Sequence, residues 1–130
     1  MGREPERIRE DVFRLSQLHD LKYEVDEISQ RIARLDREMY GTENRAPGAS
    51  AMLNGSIRDQ MEMRRRSCME ELGALYDYID SIPESLLRRV FSLRYIDALS
   101  WQKVAFRLGE TDEQYPRRMH QKYLADHPLP

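Results

Sequence analysis

From Leu18 onward the apolar residues recur at alternating steps of three and four: Leu18, Leu21, Val25, Ile28, Ile32, Leu35 and Met39. That spacing is a heptad seam, which a helix can present along one side and a strand cannot. The intervening positions are filled mainly by Glu, Asp, Arg and Lys, a solvated back. A single helix cannot bury such a seam by itself, so the chain must supply a partner or find one. Pro5 suits a first turn, Ile8, Val12 and Leu15 continue the stripe toward the start, and Gly41 suits a stop after Tyr40. Two consecutive steps of three at Leu15–Leu18–Leu21 break the heptad, which predicts a local disturbance there.

The partner comes from the same chain. Residues 42–55, TENRAPGASAMLNG, read as a loop because Pro47, Gly48, Ser50, Asn54 and Gly55 all disfavour helix. Ser56 is then the expected cap of a second helix to about Asp80, with Ile57, Met61, Cys68, Leu72, Leu75 and Ile79 as its stripe. Two amphipathic helices around one loop predict an antiparallel, coiled-coil-like hairpin over residues 1–80, with Met39 near Ile57 and Leu18 near Ile79. Cys68 falls on the apolar stripe and reads as core. Arg64, Arg65 and Arg66 fan around the second helix at ~100° per residue, which suits salt bridges to the first helix better than a separate nucleic-acid patch.

Residues 81–124 have a different rhythm: one helix, then two shorter ones joined by a tight turn. Ser81 and Glu84 have capping-box spacing, with Pro83 in the first turn and Leu86, Leu87, Val90, Phe91 and Leu93 as the apolar face. Ser100 can cap the next helix, Trp101, Val104, Ala105 and Leu108 face inward, and Gly109 supplies a left-handed stop. Thr111 or Asp112 can cap the last helix, with Tyr115, Met119 and Tyr123 on one side. Small Ala105 permits close crossing, so 81–125 is expected to form a helix-turn-helix, followed by a frayed tail at 126–130 that carries two prolines. The fold class is all-α.

LRYIDALSWQKVAFRLG, followed by a short helix with Arg118 and His120, resembles region 4 of the sigma factors of bacterial RNA polymerase. It is most similar to small phage- and prophage-encoded proteins that carry such a module behind a helical N-terminal half. The resemblance covers about residues 82–124. It implies a transcriptional regulator that either binds double-stranded DNA at an operator or promoter, or contacts RNA polymerase in the manner of a sigma fragment. A complete sigma factor also needs an aromatic-rich basic helix to melt promoter DNA, and none is evident. The modules of that family usually place glycine where Ala98 stands, so a left-handed residue there would cost on the order of 1 kcal/mol.

Pro116 makes a sharper demand. With Thr111 as cap it would fall at the fifth helical position and cost ~3 kcal/mol. The helix avoids this by starting near Gln114, which leaves residues 110–113 as an acidic lead-in.

In helix-turn-helix docking the start of the second short helix reaches base edges, and the preceding helix crosses the backbone. The candidate base-reading residues are therefore Gln114, Tyr115, Arg117 and Arg118, since Arg can pair with guanine and Gln with adenine. Tyr115 is weighed more toward core than contact. Ser100, Gln102, Lys103 and Lys122 are candidate phosphate contacts.

Charge distribution supports this assignment. The chain carries −2, yet residues 86–125 hold eight Lys and Arg against four Asp and Glu, a local +4 on a remainder of −6. A charged fraction of 34% points to solvated helix surfaces and not to a large core. No stretch approaches a membrane span, the start has no signal-peptide core, and a lone cysteine suits a cytoplasmic protein. No metal set, cofactor motif or nucleophile–base pairing is evident, so an enzyme is not expected. Two other functions fit the same pattern: a phage small terminase-like packaging adaptor, and a module that docks on RNA polymerase without binding DNA. The hairpin is a candidate homodimer interface.

Overall fold

A computed structural model describes residues 5–40 and 48–130. The described residues are all-α, with no strand: α1 Pro5–Ser16, α2 Leu18–Tyr40, α3 Ala49–Asp80, α4 Ser85–Phe91 running into a π-helical turn Ser92–Ile96, α5 Trp101–Arg107 and α6 Gln114–Asp126. They form two compact units. One joins Met1–His19 to Gly73–Pro130, and the other is Asp20–Leu72. The module expected at 81–125 therefore folds with the start of the first helix and the last turns of α3, and 1–80 is not a separate body.

The expected single N-terminal helix is broken at Gln17, between Leu15 and Leu18. The Gln17 N–H returns to the Arg14 carbonyl three residues back, at 3.1 Å. In α geometry residues three apart diverge by about 60°, whereas a tightened turn of three residues superposes them. The break thus lets Leu15 and Leu18 both become fully buried. This is where the doubled step of three predicted a disturbance.

In the Asp20–Leu72 unit, Ile28 and Ile32 of α2 and Cys68 of α3 are buried. Arg58 forks onto Asp36, with Nε–Oδ1 at 2.5 Å and Nη2–Oδ2 at 3.3 Å. Arg65 Nη1 donates to Ser29 Oγ at 3.2 Å, while Nη2 holds both oxygens of Glu62. Seven residues back along α2 thus correspond to seven forward along α3. The guanidinium of Arg58 holds the Asp36 carboxyl below its ordinary range. Helix α3 begins at Ala49, not at Ser56: Ser50, Asn54 and Gly55 lie inside it. Asparagine and glycine cost at most about 1 kcal/mol each in a helix interior, so they weaken it without ending it. Pro47 and the rest of 42–47 lie outside the described residues.

In the larger unit Ser81 ends α3 instead of capping α4. Its N–H bonds the Asp77 carbonyl at 2.9 Å and its Oγ the Tyr78 carbonyl at 2.7 Å. Ser81 therefore belongs to the end of α3 and no capping box forms: Glu84 stands at the N-cap of α4, and Pro83 precedes the helix. Phe91, fully buried, is the hub of the core, with ring centroids of Tyr78, Tyr95, Tyr123 and His120 at 5.0–6.1 Å. Beside it Val90, Leu93 and Val104 pack with Leu99, Trp101 and Leu108.

The tail is tied down, against the expectation of fraying. Helix α6 runs to Asp126, the Tyr78 hydroxyl donates to the His127 carbonyl, the Leu129 N–H to Asp11, and Arg14 to the Pro130 carbonyl, at 2.7, 3.2 and 2.9 Å. Terminal residues fray only when nothing pairs their backbone, and here α1 and α3 supply the partners.

Candidate nucleic-acid interface

Both helices of the candidate interface are placed by their ends. The π turn after α4 closes with the Asp97 N–H on the Ser92 carbonyl, and Ala98 then takes φ +55°, so that the Leu99 N–H reaches back to Leu93. Arg94 braces this corner: its Nη1 donates to the Leu99 carbonyl at 2.9 Å and its guanidinium lies 4.9 Å from the centroid of Trp101. Ser100 then caps α5, its Oγ accepting from the Lys103 N–H at 3.3 Å.

At the other end, Gly109 has φ +76°. The Glu110 N–H bonds the Ala105 carbonyl at 2.8 Å and the Gly109 N–H the Phe106 carbonyl at 3.1 Å, the two bonds of a Schellman stop. Asp112 Oδ1 accepts the Gln114 N–H at 2.9 Å and α6 starts at Gln114. Pro116 consequently sits in the first turn, where a missing N–H is harmless, and is buried. The late start is the one that Pro116 demanded.

The inward stripe of α6 is Pro116, His120 and Leu124, all buried. This is one residue on from the expected Tyr115, Met119 and Tyr123. Met119 and Tyr123 are half-buried at the edge, and Tyr115 is 41% exposed, hence not core. Hydropathy alone hides this register, because a proline and a histidine do not count as apolar. His120 is 2% exposed, with Nε2 2.5 Å from the Tyr95 hydroxyl and its ring 4.8 Å from Trp101. Burial, helped by the Arg94 and Arg117 cations and opposed by the Arg117 carbonyl, drives its pKa down to about 3. It is a neutral core residue that clamps α6 to the start of α5.

The opposite stripe is polar and cationic. Gln114, Arg117, Arg118 and Lys122 are exposed, and Gln121 joins them at i, i+3, i+4, i+7, i+8. Gln121 was missed by sequence reasoning, although its spacing alone identifies it. The helix carries no carboxylate before Asp126. On α5, Gln102 and Lys103 are exposed, as is Ser100 before it, and Phe106 is 81% exposed one turn on. The eight predicted residues line no shared cavity. They are outward positions on two helices joined through Trp101 and His120. Among the described residues no cluster of three or more His, Cys, Asp or Glu could hold a metal, and no helix is long and apolar enough to cross a membrane. No protein-family model, curated protein or solved structure matches the chain.

Proposed function

We propose that this chain is a DNA-binding transcriptional regulator of phage or prophage type, with a sigma region 4-like helix-turn-helix formed by α5, the 108–113 turn and α6. The observation that carries the reading is the outward stripe Gln114, Arg117, Arg118, Gln121 and Lys122, five exposed positions with three cations and, after Asp112 and Glu113 before the helix, no carboxylate until Asp126 at its end. Arg and Gln in that stripe are the residue types that pair with guanine and adenine edges in a major groove. Ser100, Gln102 and Lys103, at the start of the preceding helix, suit phosphate contacts that set register. Exposed Tyr115 joins the base-facing set and offers an aromatic edge. The Asp20–Leu72 helices act in this reading as an antiparallel arm for homodimerisation, which matches a palindromic site.

The test is binding to sheared genomic DNA of the source organism across a salt series, with the bound fragments sequenced. Enrichment of a few sites, weakened by salt and lost in Arg117→Ala with Arg118→Ala, is the expected result. No binding even at low salt refutes the reading.

A packaging adaptor would assemble as a many-subunit ring, so a monomer or dimer mass in solution separates it from a regulator. Docking on RNA polymerase without DNA is the second reading. Phe106, 81% exposed beside Lys103 and Arg107, favours it as an apolar contact point for a protein partner. Co-purification with polymerase that survives Arg117→Ala and Arg118→Ala but is lost with Phe106→Ser is its signature.

A further inference from the structure

The acidic lead-in GETDE stands directly before the outward stripe, where bare carboxylates would repel phosphate. Asp112 is not bare. Its Oδ1 accepts the Gln114 N–H at 2.9 Å, and its Oδ2 lies 3.6 Å from Arg118 Nη2, one turn into α6. One carboxylate therefore spans the first turn of the helix, from its opening amide to the fifth residue. Pro116, with φ fixed by its ring and its side chain buried on the inward face, stiffens the turn that this carboxylate spans. The pair is exposed, Arg118 by 69% and Asp112 by 57%, so it adds little to stability. Its effect is on conformation. A free arginine samples many rotamers, and one guanidinium edge drawn toward Asp112 narrows them while the remaining N–H groups stay available for a base or a phosphate. At 3.6 Å the contact is a charge contact and not a hydrogen bond, so it orients Arg118 without consuming a donor.

We propose that Asp112 is a specificity-determining residue that positions Arg118 for one base pair, an inference that rests on the DNA-reading function above. The aimed guanidinium favours guanine, whose O6 and N7 accept a fork of two N–H groups. The uncompensated part of the carboxylate's charge penalises phosphate contact at every sequence equally. Removing the charge thus acts in opposite directions on the two kinds of binding. Discrimination falls, and non-specific affinity rises.

The experiment selects preferred duplexes from a random pool, then compares wild type with Asp112→Asn, Arg118→Ala and the double variant against the selected site and random duplex. Asn and Ser accept the capping N–H as Asp does, so Asp112→Asn and Asp112→Ser keep the helix start and lose only the charge. Each is expected to lower the preference for the selected site about tenfold, with the relaxation confined to one base pair, and to strengthen binding to random duplex at low salt. In the Arg118→Ala background Asp112→Asn is expected to leave the preference unchanged. An unchanged preference in Asp112→Asn, an equal loss with and without Arg118, or a parallel fall in specific and random binding each overturns the inference and leaves the DNA-reading function standing. A wild type that selects no duplex overturns both.

Discussion

Two side chains in the larger unit carry strain or suppressed charge, and each gives a measurable prediction. Ala98 holds φ +55° at the corner between the π turn and α5. An L-residue there costs roughly 1–2 kcal/mol because Cβ crowds the following carbonyl, and glycine does not pay it. Ala98→Gly is expected to stabilise the protein by about 1 kcal/mol, less the extra freedom glycine gives the unfolded chain, read as a raised midpoint in urea. His120 makes stability depend on pH. Its pKa falls from 6.5 to about 3 on folding because the ring is buried. Below pH 6.5 the unfolded chain takes up a proton that the folded one refuses, so stability is lost as pH falls from about 6.5 toward 3. The slope approaches about 1.4 kcal/mol per pH unit. His120→Gln, which keeps an acceptor for the Tyr95 hydroxyl, is expected to flatten the curve between about pH 5 and 6.5, above the range where ordinary carboxylates dominate.

At the scale of elements, ends are decided by single residues and so were partly legible. Ser100, Gly109 and the constraint from Pro116 act locally, and the structure has α5 capped by Ser100, stopped at Gly109, and α6 begun at Gln114. Gly109 has open space around an added Cβ, so Gly109→Ala is penalised by its φ of +76° alone. A loss of about 1 kcal/mol is expected, recovered in part by Gly109→Asn, and thermal melting checks both. Where a residue's role depends on what the fold brings to it, the local signal misled. Ser81 had capping-box spacing, but its hydroxyl went to the Tyr78 carbonyl. Asn54 and Gly55 looked like a loop and lie within α3. In α6 the outward candidates were legible because a solvent face needs only polar spacing. Its inward face was misread by one residue, because Pro116 and His120 do not count as apolar, and His120 becomes core only through Phe91, Tyr95 and Trp101.

For the whole molecule, the division of the chain into two units matters more than the order of its helices. The larger unit is not contiguous: α1 belongs with α6, and the sequence places them at opposite ends. Such a closure pairs distant segments and depends on the few contacts that hold them together. The tail supplies two of these, Leu129 to Asp11 and Pro130 to Arg14, while the Tyr78 hydroxyl on the His127 carbonyl ties the tail to α3. Asp11 is only 5% exposed, so its carboxylate accepts the Leu129 N–H largely out of water. A hydrogen bond to a charged group of this kind contributes about 1.5–3 kcal/mol. Deletion of residues 127–130 is therefore expected to destabilise the larger unit by at least about 2 kcal/mol and to loosen α1 first. Hydrogen exchange reads this directly. Amides of α1 should lose protection in the truncated protein while those of α2 from Asp20 onward, in the other unit, keep theirs. Asp11→Asn, which keeps an acceptor oxygen for the Leu129 N–H, should fall between wild type and the deletion. If α1 and α2 lose protection together, the tail acts on the stability of the whole chain and not as a tie between its two ends.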